Sequence, residues 1–410
     1  MPIFNRRQFI RMAAIAPALP YVLGPRALGN TISGAAADYD GPVVVMVRLR
    51  GGNDGLNTVV PLQDDHYHRA RPNIALKRGD TLALSGGDFG LHRSLADFMQ
   101  LMDRGDAGIV QAVGYPQSSR SHLRANEIWE SALPEVEAPA TGWLGRYLDS
   151  APHGPEQAPV GGLEFGREAA LTLKGAAGRN RLVERPERFA NLQAEAMEAR
   201  LGQGPANPAF EHLGAAERAL ADVARLAQRA SRGAGARHAY PDTAFGRSLR
   251  WTADMIETHC SPRAYFVSVG SFDEGAASFD THIDQLPQHR LLYGELGRGI
   301  RAFADHLREA GAFRRVVLLT FSDFGRMLPE NRTRGTEHGD ASVLLYAGGS
   351  VHAGIRGAAP NLGEATDGGV PHRVDFRSVY ADVLDNWLAA PAANILTAGV
   401  APFPIVRRPA

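Results

Sequence analysis

The chain lacks most of the features that would settle its class at once. It has one cysteine, Cys260, in 410 residues. A lone cysteine makes no internal disulfide and excludes thiolate-rich metal sites, so Cys260 reads as a small buried hydrophobe. Neither sign of charge dominates, with 44 acidic and 44 basic residues. No global field therefore draws the chain to nucleic acid or to an anionic membrane. Past the N-terminal stretch, no segment approaches the roughly 20 apolar residues of a membrane helix. There is no internal repeat and no P-loop, and Gly51-Gly52-Asn53-Asp54-Gly55 lacks the spacing of a dinucleotide-binding glycine fingerprint. The length allows one large α/β domain or two smaller ones.

What is present begins at the N-terminus. Asn5-Arg6-Arg7-Gln8-Phe9-Ile10 leads into a modest, proline-broken apolar run from Met12 to Leu23. Paired arginines, a large apolar residue two positions on and a short apolar stretch form a twin-arginine export signal over residues 1–37. Ala35-Ala36-Ala37 lies in the cleavage region. The signal predicts passage through the twin-arginine translocase, a periplasmic or extracellular location, and a mature protein without a stable membrane span.

The mature chain alternates apolar runs with amphipathic ones. Val43–Leu49, Gly108–Val113, Arg263–Val269, Arg314–Leu319 and Ser342–Gly349 read as buried strands. A helix entered at Phe89 to Leu95 runs through Met102, another covers Gln288 to Ala310, and a third Asp375 to Leu388. In the last, Phe376, Val379, Tyr380, Val383, Leu384 and Trp387 share one face, which is the spacing of docking onto a core. This alternation predicts a three-layer α/β/α fold with a mostly parallel central sheet. Residues 151–245 differ. Val160–Phe165 and Ala170–Leu173 read as short strands, Arg188–Arg200 and Glu211–Arg229 as amphipathic helices, and Ser231–His238 as a loop. They predict a helical insertion at about 180–245 within a single domain spanning 38–410.

Chemistry-bearing residues gather at the predicted strand ends. They are Asp54; Ser119, Ser121 and His122; Asp280 and His282; and Asp323 and His338. An open α/β sheet binds ligands in the crevice outside its strand carboxyl ends. Oxygen and nitrogen ligands without thiolates suit Zn²⁺, Mn²⁺, Mg²⁺ or Ca²⁺. Such a centre holds the oxygens of a phosphate or sulfate ester and acidifies a water or hydroxyl. Arg326, Arg120 or Arg50 can clamp an oxyanion bidentately. Each residue also has an ordinary reading: Asp54 as a turn aspartate between glycines, the serines as helix caps, the arginines as solvated surface charge.

The ordered motifs Gly51-Gly52-Asn53-Asp54-Gly55-Leu56-Asn57, Arg120-Ser121-His122, Phe279-Asp280-Thr281-His282, Phe321-Ser322-Asp323-Phe324-Gly325-Arg326 and Gly335-Thr336-Glu337-His338-Gly339 resemble a family of exported bacterial proteins. It is the domain-of-unknown-function family fifteen-oh-one, and Asp375-Phe376-Arg377-Ser378-Val379-Tyr380 fits it too. The resemblance implies an alkaline-phosphatase-like and sulfatase-like fold. By the order of site residues in that superfamily, Asp54 looks like the first metal ligand and Ser121 like the nucleophile. Asp280 and His282 look like a ligand pair, and Asp323 and His338 like the last ligands, with one or two divalent ions bound. Arg326 would hold the substrate, and Asn53, Ser119, His122 and Glu337 are further candidates. Phe324 stands where the superfamily has a ligating histidine, which leaves one metal site a ligand short. The implied activity is hydrolysis of a phosphate or sulfate ester, on a small anionic ester or a cell-surface polymer. The alternative is a binding or assembly protein of the cell envelope that keeps the fold with a degenerate site.

Overall fold

A computed structural model of the chain describes residues 39–150, 160–190, 208–233, 238–260, 262–273, 276–396 and 399–408. The expected export signal and most of the expected 188–200 helix lie outside the described residues. The fold is α/β with a mostly parallel central sheet. The chain divides into two compact units, one of residues 41–139, 236–253 and 267–410, the other of residues 140–235 and 254–266 with the N-terminal residues to 40.

In the larger unit, β1 (Val43–Leu49) and β3 (Val316–Ser322) pair in parallel from Val43↔Val316 to Leu49↔Ser322. Both are buried along their whole length, so their sequences are continuous apolar runs. The order continues outward through β6 (Ser342–Gly348) to β2 (Ala107–Gly114). Here β6 is antiparallel to both neighbours, within a sheet that is mostly parallel, as expected. The connection from β3 to β6 is a hairpin, β4 (Arg326–Glu330) against β5 (Thr336–His338), with no crossover helix, so the chain returns in the opposite direction. Because β6 opposes both β2 and β3, the carboxyl ends of β1, β2 and β3 share one edge.

Three helices matter for that edge. They are α1 (His122–Ser131), α2 (Gln285–Glu309) and α3 (Phe376–Asp382), the last continued by a wider turn through Trp387. The docking face expected on α3 is buried at every one of its six positions. Asp375 caps it by accepting from the Arg377 amide at 2.9 Å. Trp129 of α1 stacks on Phe376 at 4.2 Å, which seats α1 at the end of β2.

In the smaller unit, Gly162–Phe165 pairs in parallel with Asn180–Val183 and with Ala264, Tyr265 and Phe266. No strand forms at 170–173. The carbonyls of Thr172 and Lys174 instead accept from the Gly145 and Gly142 amides at 3.0 and 2.9 Å, beside the start of the Trp143–Ser150 helix. The helix expected from Glu211 to Arg229 spans Pro208–Gly233 and takes in the first residues of the loop expected at Ser231–His238, part of which lies outside the described residues.

Candidate metal centre

The centre is assembled at the shared strand edge of the larger unit. β1 delivers the loop Arg50 to Asp54, in which Gly51 and Gly52 take φ of +108° and +89°. A Cβ on Gly51 would lie 2.4 Å from the Asp280 amide, and one on Gly52 would lie 2.4 Å from the Phe324 ring. Only glycine lets this loop close on both residues. The two glycines are thus explained by contact with Asp280 and Phe324.

Asp280 is the hub. Its Oδ1 accepts from Arg326 Nη2 at 2.7 Å and faces His282 Nε2 at 2.9 Å and His338 Nε2 at 3.1 Å. Its Oδ2 lies 3.4 Å from His122 Nε2. Burial pushes the Asp280 carboxyl up, but hydrogen bonds from His122, His338 and Arg326 outweigh it and hold the group well below the usual carboxylate range.

Each imidazole is anchored through its other nitrogen. His338 Nδ1 lies 2.8 Å from the Arg120 carbonyl, which only accepts, so Nδ1 carries the proton. His282 Nδ1 meets Glu337 Oε2 at 2.8 Å, and His122 Nδ1 meets Asp323 Oδ2 at 2.7 Å. All three rings therefore present Nε2 to Asp280. The Nε2 atoms of His282 and His338 are only 3.0 Å apart. Two neutral rings so anchored would oppose lone pairs to each other and to the carboxylate, so positive charge belongs in this space. A proton can supply part of it: hydrogen bonds to Asp280 and then Asp323 push His122 up to about 9 against the effect of burial.

A divalent cation fits as well. The facing atoms of His122, Asp280 and His338 lie within 4.8 Å of one another. Asp323 is buried, and its Oδ1 has no hydrogen-bond partner among the described residues. Histidines that donate Nδ1–H to a carboxylate or carbonyl and turn Nε2 inward have the second-sphere arrangement of metal ligands. Phe324 supplies an apolar floor, its ring 4.8 Å from that of His122 and 4.3 Å from that of His338.

Other expected site residues are engaged elsewhere. Asp54 is fully buried and caps the Gly55–Thr58 turn. Its carboxylate accepts from Arg71 at 2.7 and 3.2 Å, from Gln285 at 2.6 Å and from the Leu56 amide at 3.0 Å. Burial raises its pKa, but the charge and hydrogen bonds of Arg71 bring it below normal. The structure thus turns Asp54 to Arg71 instead of to the imidazoles. Asn53 is likewise internal, bonded to Thr58 at 3.0 Å and to Tyr293 at 2.8 Å.

Arg326 is not free to clamp a substrate. It is buried, and its guanidinium donates to the carbonyls of Gly51, Gly52, Phe279 and Thr336 as well as to Asp280. Three of those carbonyls, of Gly51, Gly52 and Phe279, lie in loops and the fourth on β5, and Arg326 donates to all of them. Arg120 pairs with Asp340 at 2.9 and 3.1 Å. Ser121 is exposed at the cap position of α1, with no side-chain capping bond, and Ser119 Oγ accepts from its amide at 3.3 Å. Two participants carried little sequence signal. Arg71 caps the end of the short Asp65–Ala70 helix, 17 residues after Asp54, and the role of His122 was marked only by Arg120-Ser121-His122 preceding a helix.

A family model described as "Protein of unknown function (DUF1501)" matches residues 42–388. No curated protein matches the chain in sequence. Among solved structures, the lipoteichoic acid synthase LtaP from Listeria monocytogenes aligns at 11% identity and TM-score 0.34, covering 85% of this chain and 78% of that one. The C-terminal periplasmic domain of EcEptC from Escherichia coli aligns at 7% and 0.35, covering 78% and 77%. A protein in the alkaline phosphatase superfamily from Vibrio parahaemolyticus aligns at 10% and 0.31, covering 88% and 74%. At these scores the likenesses carry no argument about chemistry.

Proposed function

The chain belongs to the DUF1501 family, whose description states no reaction, and from the site we propose an exported hydrolase of phosphate or sulfate esters that works with one divalent cation. The observation that carries this reading is the convergence of three Nδ1-anchored imidazoles on the Asp280 carboxylate. Asp280, His282, His338 and His122 would hold the cation, with Asp323 beside them. A cation bound there supplies Lewis acidity to an ester oxygen and makes water more acidic. Glu337, Asp323 and the Arg120 carbonyl fix the ring orientations. Phe324 keeps water from one side of the rings and leaves no ligand for a second ion at its position. Ser121, at the exposed start of α1 next to His122, is the hydroxyl this reading assigns to attack on the ester. The twin-arginine signal supports export through the twin-arginine translocase to the periplasm or outside the cell. Among the described residues, no helix is long and apolar enough to cross a membrane.

The purified protein should carry one equivalent of Zn²⁺ or Mn²⁺ and hydrolyse members of a phosphate and sulfate ester panel. His338→Ala should lose both, and Ser121→Ala should lose hydrolysis with the ion retained. An ion-loaded protein inert on the whole panel would sink the hydrolase reading. It would favour the second reading, a binding or assembly protein. One observation supports that reading: the Ser121 hydroxyl makes no hydrogen bond to a base among the described residues.

A further inference from the structure

We propose that Phe272, beside His122, forms an apolar rim that selects esters carrying an aryl group; this rests on the hydrolase reading. Five large hydrophobic side chains are exposed among the described residues, namely Leu123, Val136, Phe272, Ile283 and Leu291. One of them, Phe272, meets a residue of the candidate centre, its ring in a T-shaped contact with the His122 ring at 5.8 Å. Leu123 and Ile283 are chain neighbours of His122 and His282. Single exposed hydrophobics need no explanation. An exposed aromatic ring in contact with a residue proposed to hold the cation has one in the part of the substrate that does not reach the cation.

Backbone hydrogen bonds lie on either side of Phe272 in the loop. The Ser271 amide donates to the Ala277 carbonyl at 2.9 Å. Both sides of the loop are tied to the backbone of Arg50, whose amide donates to Val269 at 3.1 Å and whose carbonyl accepts from Phe279 at 2.7 Å. The Arg50 guanidinium lies 5.9 Å from the centre of the Phe272 ring. A ring fixed at its base, with a cation over it and a ligand-bearing imidazole at its side, still stands 54% exposed. Its remaining surface suits a planar apolar group, since aromatic pairs gain from stacked or edge-on contact beyond the area they bury. An ester whose anionic head reached the inward Nε2 atoms would carry its organic group past this ring.

The test uses the full chain loaded with Zn²⁺. Hydrolysis of phenyl phosphate and phenyl sulfate is compared with that of methyl phosphate and methyl sulfate. Phe272→Ala should raise KM for the phenyl esters about ten-fold with kcat held, the size of one aromatic contact. It should leave the methyl esters unchanged, and Phe272→Trp should restore the preference. Equal effects on both series, or none, would overturn the rim and leave the hydrolase reading standing. Calorimetric binding of phenylphosphonate and methylphosphonate separates the two ideas without turnover. If no ester is cleaved but phenylphosphonate binds more tightly in a Phe272-dependent way, the rim stands and hydrolysis fails. If neither phosphonate binds, or both bind alike, the rim fails.

Discussion

Asp54 and Asp280 look equivalent in the sequence, and the structure predicts opposite consequences for neutralising them. Asp54 and its partner Arg71 have no exposed side-chain surface. Removing one partner of a buried ion pair leaves the other charge uncompensated, which costs about 3–5 kcal/mol. Arg71 keeps hydrogen bonds to Asn57, Met327 and Leu328, so Asp54→Asn should fall toward the lower end, about 3 kcal/mol. The side chains proposed to hold the cation do not include Asp54, so the folded variant should bind metal as the wild type does. Asp280 has 26% of its side chain exposed, and Arg326 keeps four backbone carbonyls without it. Asp280→Asn should therefore cost only about 1–2 kcal/mol, the range of one imperfectly satisfied group. It removes the anion at the centre of the imidazoles, so metal should be lost outright. The assay is urea denaturation of metal-free protein together with metal analysis of each folded variant. An Asp54→Asn protein that folds with wild-type stability and has lost its metal would refute this division of roles.

Further outcomes follow from the same contacts. Glu337 is half exposed and holds His282, so Glu337→Gln should weaken metal affinity about 10- to 100-fold with little change in urea midpoint. Gly52→Ala places a Cβ against the Phe324 ring in a left-handed conformation, and should destabilise by about 2 kcal/mol or more on thermal unfolding. His289 is pushed down to about 3 and His92 to about 4, in each case chiefly by burial. Unfolded histidines titrate near 6.5, so below that pH the unfolded chain binds more protons than the fold. The neutral histidines thus favour the fold above about 6.5, and stability falls as pH drops from there toward 4, by at most about 1.4 kcal/mol per pH unit for each histidine. Urea midpoints across this range should show a shallower acid slope in His289→Gln. An unchanged slope would contradict the assignment.

The parts of this molecule legible from its sequence are those with a local cause. β1, β3 and the buried face of α3 each announce themselves in consecutive or helically spaced apolar residues. Asp280, His282, Asp323 and His338 were legible as candidates because they follow predicted strands, while the loop after Val269 and the β4–β5 hairpin carry Asp280, His282 and His338 to one place. The direction of β6 was not legible, because it depends on a hairpin that replaces a crossover helix. The tasks of Asp54 and Arg326 were hidden for a different reason. A carboxylate or guanidinium at a strand end serves a ligand or its own backbone according to which partner arrives. Arg71 reaches Asp54 from the end of the short Asp65–Ala70 helix, and four backbone carbonyls reach Arg326 from three separate stretches. No spacing in the sequence encodes either meeting. Phe324 had a signal of substitution, but its task as a floor beneath two imidazoles needed ring positions.

The most direct test of the central claim is equilibrium dialysis of the metal-stripped protein against Zn²⁺ and Mn²⁺, followed by metal analysis. Wild type should take up one ion per chain, with uptake abolished in Asp280→Asn and in His338→Ala and preserved in folded Asp54→Asn. Absence of uptake by folded wild type, or undiminished uptake by a double Asp280→Asn, His338→Ala variant, would contradict it.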